Sequence, residues 1–247
     1  MRTLIISDIH ANLIALEAVL TDAEHSNTGK YDAVWCLGDL VGYGPNPNEC
    51  VERIVQLPNL QCVLGNHDAA AVGSIAVDAF NPDARKTVLW AQDKLTPANK
   101  EYLKNLPERL NLEHITLVHG SPFRPVWEYL LDTRTATISF EFFDTPYCFV
   151  GHTHLPVLYH LPDTTNTAQL RVPEKISQMT LAPRSILNPG SVGQPRDRDP
   201  RSAYAILDLE DYTWEWHRVE YDIESVQEQM RLENLPERHI ARLTAGW

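Results

Sequence analysis

The stretch Thr3-Leu4-Ile5-Ile6-Ser7-Asp8-Ile9-His10 decides how the rest of the chain is read. Residues 3–7 form a short apolar run rich in Ile and Leu, the mark of a buried strand. An Asp-x-His pair follows at once. Residues i and i+2 of an extended segment can face one side, so Asp8 and His10 leave the strand together. The arrangement recurs along the chain. Residues 33–37 run into Gly38-Asp39, and residues 61–64 into Gly65-Asn66-His67-Asp68. Residues 115–118 run into His119-Gly120, and residues 147–150 into Gly151-His152-Thr153-His154. Ligands of open α/β sheets gather beyond the carboxyl ends of the strands. Five strand ends would therefore bring three Asp, one Asn and five His to one crevice.

Between the early runs the pattern turns helical. Leu13, Leu16, Leu20 and Ala23 form one helix stripe, and a second helix is expected from Asn48 to near Leu57, ahead of Pro58. Residues 69–110 read as a helical excursion with starts at Asn81-Pro82 and Thr96-Pro97, each a capping side chain before a proline suited to the first helical position. Residues 161–183 are polar, a loop or a loose edge hairpin, and 185–187 form a further short strand. Residues 202–221 read as an antiparallel hairpin turning at Glu210-Asp211. Its Trp214 and Trp216 share one face, as core residues do. Residues 223–243 form an amphipathic helix pair broken at Pro236. The predicted fold class is α/β, two packed sheets flanked by helices, in a single domain over 1–247.

Composition narrows the partners. The 247-residue chain carries 33 Asp and Glu against 21 Lys and Arg, a formal charge of −12. Nucleic acids and anionic membranes are held mainly by clustered Lys and Arg, so neither a stable nucleic-acid complex nor a membrane partner is expected. A small phosphoester substrate is not excluded, because a metal can supply positive charge locally. No run approaches the roughly 18 apolar residues of a membrane span, and the N-terminal run is too short for a signal segment. The four cysteines, Cys36, Cys50, Cys62 and Cys148, include no CxxC pair. Reduced thiols and a cytoplasmic location are the expectation.

Asp carboxylates and neutral imidazoles suit divalent ions of the Zn, Mn, Fe and Ni kind. Nine candidate ligands exceed what one ion needs, and two metals are a known solution for phosphoryl hydrolysis. The ordered set DxH, GD, GNHD, HG and GHTH, with Asn188-Pro189-Gly190-Ser191 beyond it, resembles the calcineurin-like metallophosphoesterase superfamily, and in particular its small prokaryotic phosphodiesterase branch. The resemblance implies a metallophosphoesterase-type sandwich with two divalent cofactor ions, Mn first among them and Fe, Zn, Ni or Mg as alternatives. It implies that Asp8, His10 and His154 hold one ion, that Asn66, His119 and His152 hold the other, and that Asp39 bridges them. His67 becomes the non-ligand histidine that meets the substrate phosphate and protonates the leaving oxygen, with Asn66 also placed at the substrate. Asp68 is expected to orient or tune His67, since a carboxylate beside an imidazole favours its protonated form.

The reaction so implied is direct attack by a hydroxide shared between the metals, with His67 as general acid. Phosphoprotein phosphatases and diadenosine tetraphosphate hydrolases carry an arginine after the GD motif and another before GNH; here Leu40 and Leu64 stand there. A phosphodiesterase on a small or nucleotide-like substrate is therefore the favoured function. A phosphomonoesterase, a phosphoprotein phosphatase or a dinucleoside polyphosphate hydrolase is the alternative, and a metal-free interaction scaffold the remote one. Arg124 and Arg196 are candidate substrate-binding residues. Arg196, Arg198 and Arg201 either grip phosphate or sit in a solvated loop. Phe123, Trp127 and Tyr129 either stack on a base or wall the core. His25, His114, His160, His217 and His239 carry no motif and read as structural. The hairpin edge and the C-terminal helices are the surfaces a homodimer would use.

Overall fold

In a computed structural model of the chain, which describes residues 1–25, 29–173 and 177–247, strand β1 (Arg2–Ile6) shows how the layers form. Leu4 and Ile6 enter one core while Ile5 enters another, as the two-residue period of a strand demands. The strands that follow are β2 (Ala33–Cys36), β3 (Gln61–Cys62), β4 (Arg109–Asn111), β5 (Ile115–Val118), β6 (Tyr147–Phe149) and β7 (Val157–His160). Beyond them come β8 (Gln169–Arg171), β9 (Ser177–Thr180), β10 (Ser185–Asn188), β11 (Ser202–Asp208) and β12 (Thr213–Val219).

They form two six-stranded sheets, β3-β2-β1-β11-β12-β9 and β4-β5-β6-β10-β7-β8. Strands β1, β2 and β3 run parallel in the first sheet, and β5, β6 and β10 in the second. The two sheets bury a shared core that includes Ile5, Trp35, Leu117, Phe149, Leu187, Leu207 and Trp214. Helices α1 (Leu13–Glu24) and α2 (Pro47–Ile54) cover the outer face of the first sheet through Leu16, Leu20, Val51 and Ile54. The expected α/β sandwich is thus the observed one.

The short helix α3 (Asn66–Ala71) opens the excursion. Helices α4 (Pro82–Lys94) and α5 (Pro97–Lys104) begin where predicted: Asn81 and Thr96 accept hydrogen bonds from the Ala84 and Asn99 amides. Helix α6 (Thr133–Ser139) packs on the outer face of the second sheet, and α7 (Ile223–Leu232) and α8 (Glu237–Ala245) close the chain on either side of Pro236.

Three expectations change. Arg109 and Leu110 leave the helical excursion for β4, paired with β5, because Pro107 disfavours helical backbone at the residue before it. Among the described residues of 161–183, two short edge strands replace the expected loop or loose hairpin and do not pair with each other. Their strands β8 and β9 pair with β7 and β12 in different sheets, and residues 174–176 lie outside the described residues. Strand β9 therefore covers the outer side of the 202–221 hairpin, which is not a free edge for a dimer. All four cysteines are buried and free. Among the described residues no helix is long and apolar enough to cross a membrane.

Trp214 is fully buried between the sheets, 4.9 Å from the Phe149 ring. Trp214→Ala should lower the unfolding free energy by about 3–5 kcal/mol, read as a fall in the urea midpoint. An unchanged midpoint would mean that the inter-sheet core does not depend on this ring.

Candidate metal centre

The parallel strands of both sheets end at one rim, and the backbone there is strained. Asp8, His10, Asp39, His152 and His154 all have φ between 50° and 65°, a left-handed region that non-glycine residues seldom enter, at a cost of about 1–3 kcal/mol each. Hydrogen bonds between strand ends hold them there. The Asp8 amide donates to Gly38 O and the His10 amide to Asp39 O, at 3.0 and 2.9 Å. The His152 amide donates to Asp8 Oδ2 at 3.0 Å, and the Gly151 amide to His119 O at 2.8 Å. The 188–191 turn ties the two sheets. Asn188 Nδ2 donates to Gly151 O at 2.7 Å, and Ser191 Oγ donates to Asp8 O at 2.8 Å.

Backbone carbonyls also set the imidazole tautomers. The Nδ1 atoms of His10, His119 and His154 lie 3.1, 2.7 and 2.5 Å from the carbonyl oxygens of Val41, Leu37 and Gln194. Each Nδ1 must therefore carry a proton, so that in its neutral form each ring presents Nε2 as a lone pair. These lone pairs converge. His10 Nε2 and His154 Nε2 stand 3.1 Å apart, with His154 Nε2 3.2 Å from Asp8 Oδ1. His119 Nε2 lies 3.1 Å from both His152 Nδ1 and Asn66 Oδ1, and 3.3 Å from Asp39 Oδ2. Two acceptors facing each other at hydrogen-bond distance repel unless a cation or proton lies between them, so the donor set fits divalent metal.

Asp8-His10-His154, His10-Asp39-His67 and Asp39-His119-His152 each bring three donor atoms within 4.8 Å of one another. All seven predicted ligands, Asn66 and Asp39 included, are buried. In the polypeptide alone, burial raises Asp8 to about 7. Burial also opposes the charge on Asp39, but His119, His67 and His10 around it hold its carboxyl well below the ordinary range. For His119, burial is outweighed by the charge and hydrogen bond of Asp39, and its pKa rises to about 9.

His67 is held from several sides. Its amide donates to Asp39 Oδ1 at 2.9 Å, and its ring lies 4.4 Å from Tyr43, 4.9 Å from His10 and 5.0 Å from Phe80. Its Nδ1 has no partner, and burial pulls its pKa down to about 4. Of the two roles expected of Asp68, its hydrogen bonds suit orientation of His67 rather than a direct contact with the ring. Its carboxylate accepts from the amides of Val41 and Gly65, both at 3.1 Å, and so fixes the turn that carries His67 rather than meeting the imidazole. The carboxylate occupies those donors because its position in α3 faces the 39–42 loop.

The two candidate arginines part company. Arg196 reaches the site: its charge acts on Asp8, His10, His67 and His154. Arg124 is exposed, stacks at 5.3 Å over Phe123, and lines a cavity of about 680 Å³ with Trp127, Ile75 and Ala79. Arg201 is bonded to Asp199, and Arg198 is exposed. Tyr129 stacks on His152 at 3.7 Å. Sequence reasoning passed over Tyr43, Gln194 and His239. Tyr43 lies four residues beyond Asp39 in a glycine-flanked loop, which was a usable signal; His239 sits in a distant helix with no motif at all.

Sheet order, strand-end chemistry and donor set define a phosphoesterase of the calcineurin type, and the chain belongs to the calcineurin-like phosphoesterase superfamily, whose domain model matches residues 1–212. It is a phosphoric ester hydrolase of a family that generally uses a dinuclear metal centre. The structure is similar to that of a metallophosphoesterase from Sphaerobacter thermophilus, with 47% identity, a TM-score of 0.90 and coverage of 100% of this chain and 99% of that one. An uncharacterized protein of Methanocaldococcus jannaschii is 38% identical over 98% of this chain and 97% of its own. A symmetrical bis(5'-nucleosyl)-tetraphosphatase of Glaesserella parasuis is 28% identical over 52% of this chain and 47% of its own.

Gly42 has φ +88°, and a Cβ there would collide with the His67 ring. Gly42→Ala should displace that ring and reduce turnover by about 10²-fold, while circular dichroism and bound metal remain those of the wild type. Undiminished turnover would show that the His67 position is not set by this contact.

Proposed function

We propose that the chain is a metal-dependent phosphodiesterase of small or nucleotide-like phosphoesters. In this reading Asp8, His10 and His154 hold one divalent ion, Asn66, His119 and His152 the other, and Asp39 bridges the two. The observation that carries it is the pair of facing lone pairs on His10 and His154 beside Asp8, repeated by His119 with His152 and Asn66 beside Asp39. When bound, divalent ions supply Lewis-acid charge and an activated water for attack on phosphorus. Mn is the metal expected first, and Fe, Zn, Ni and Mg also suit these ligands.

The chain's own residues do the rest. Second bonds from Val41, Leu37 and Gln194 carbonyls hold three imidazoles in the ligating tautomer. His67 protonates the departing oxygen. Its burial keeps it neutral until an anionic phosphate stands beside it, because a neighbouring negative charge favours the imidazolium. Arg196 steadies the non-bridging phosphate oxygens, and the cavity walled by Trp127, Phe123 and Arg124 receives the leaving group.

Preference for a diester rests on Leu40 and Leu64. Both are buried where monoester-cleaving relatives of this design place arginines, so a second negative charge on the reacting phosphate lacks those two partners. The second reading, a dinucleoside polyphosphate hydrolase or phosphomonoesterase, is favoured by the partial likeness to the tetraphosphatases and by Arg196 at the site.

Bis-p-nitrophenyl phosphate and p-nitrophenyl phosphate, offered to chelator-stripped protein with and without Mn²⁺, test the choice. Mn²⁺-dependent turnover favouring the diester is expected, and preference for the monoester would promote the second reading. His67→Ala should retain both metals by elemental analysis and lose at least about 10²-fold in turnover. Full activity in that variant would remove His67 from the chemistry.

A further inference from the structure

Of the imidazoles assigned as metal ligands, one is held differently from the rest. His10, His119 and His154 each fix Nδ1 on a backbone carbonyl, at 3.1, 2.7 and 2.5 Å. His152 is turned the other way. Its Nδ1 faces the centre, 3.1 Å from His119 Nε2, so in the neutral ring the proton sits on Nε2. That atom is buried and has no hydrogen-bond partner. Nε2 lies at the tip of the ring, further from the backbone than Nδ1, and none of the carbonyls that serve the other three imidazoles reaches it.

What packs on the ring is Tyr129. The two rings are stacked, with centroids 3.7 Å and planes 28° apart. The further ring contact of His152 is an edge-on one with His119, at 4.9 Å. His152 is 2% exposed and Tyr129 47%, so the phenol covers the imidazole while its own remaining surface stays open. The backbone on both sides of Tyr129 is fixed. Glu128 accepts a hydrogen bond from Ser121 Oγ, which itself accepts from the Arg124 amide at 3.0 Å. Leu130 is buried, and its carbonyl accepts from the Tyr159 hydroxyl at 3.1 Å. A Cβ on Gly120 would stand 2.9 Å from Arg124 O and from Glu128 N, so the loop folds back tightly on the residue after His119. One loop therefore supplies an imidazole at its start and brings Tyr129 onto a second imidazole further along.

We propose that Tyr129 is a positioning residue of the candidate metal centre: its stacked ring fixes the His152 imidazole in the ligating orientation, as carbonyls do for His10, His119 and His154. The role rests on the ligand set given under the proposed function. Hydrogen bonds that orient a ligating histidine are worth about 10–100-fold in metal affinity, and at this one ligand an aromatic contact takes their place. The effect is local to the ion assigned to Asn66, His119 and His152. Among the described residues no hydrogen bond or ring contact joins Tyr129 to Asp8, His10 or His154.

Calorimetric titration of Mn²⁺ into chelator-stripped protein, with bound metal counted by elemental analysis, tests the role independently of turnover. The wild type is expected to take two ions. Tyr129→Leu should weaken one of the two affinities about tenfold and leave the other unchanged, and the affinity that falls should be the one that His152→Ala abolishes. Tyr129→Phe keeps the ring and should bind as the wild type does. Tyr129→Gln, a polar replacement suited to a half-exposed position, should behave as the leucine variant, so the test does not hang on one substitution; urea midpoints show that each variant is folded. Unchanged affinities in the leucine and glutamine variants, or an equal fall in both affinities, overturn the role. A phenylalanine variant that loses the ion as leucine does overturns it too, since the hydroxyl and not the ring would then be at work. A wild type that binds fewer than two ions overturns the ligand set itself, and the role of Tyr129 with it.

Discussion

Everything at this site depends on a set of hydrogen bonds that join the ends of neighbouring strands. Asp8, His10, Asp39, His152 and His154 stand in left-handed backbone, which an L-residue does not keep without being held. The holding comes from outside each loop: Gly38 and Asp39 carbonyls receive the first loop, Asp8 receives His152, and the 188–191 turn ties Gly151 and Asp8. At about 1–3 kcal/mol for each strained residue, the loops would relax if the sheets separated. The inter-sheet core around Trp214, Phe149 and Ile5 therefore does more than stabilise the fold. It keeps donor atoms from both sheets together in triads such as Asp8-His10-His154 and Asp39-His119-His152, each within 4.8 Å.

The electrostatics follow from that geometry. Buried carboxylates and imidazoles crowd together, so their protonation is set by one another: Asp39 is held charged and His119 is lifted to about 9 by it. Such a centre suits cations because each Nδ1 proton is bound to a carbonyl and Nε2 faces inward, so that a dication takes the Nε2 lone pair and, at His119, displaces the proton that Asp39 favours there. Arg196 brings a positive charge beside this centre, its guanidinium carbon 5.6 Å from the Tyr43 ring.

Much of this was legible in the residues. Five apolar runs, each followed by Asp, Asn or His, mark the strand ends, and the order of the motifs marks the family. The helix starts at Asn81 and Thr96 were equally readable, because a cap and its proline lie side by side in sequence. Strands β8 and β9 were not: three or four exposed or half-buried residues in a polar segment acquire their pairing from whichever sheet edge lies alongside. Asp68 shows a second kind of limit. Adjacency to His67 left open whether the carboxylate orients the histidine or tunes its ring; neighbours in a helix point to different sides, and Asp68 turns to Val41 and Gly65.

The sequence by itself determined the layer architecture, the candidate ligands and the family, since each is written in local patterns of two or three residues. Only the tertiary structure decided that the loops carrying those ligands stand in left-handed conformation, that Nε2 rather than Nδ1 faces inward at His10, His119 and His154, and that Tyr43, Arg196 and His239 meet. His239 lies 172 residues beyond His67 in the chain, the difference of their positions, and its relation to the site arises from the packing of α8. Contacts of that kind carry no local signature. They follow from how two sheets and a terminal helix pair pack, where burial of apolar side chains sets the distances and the polar groups are carried along.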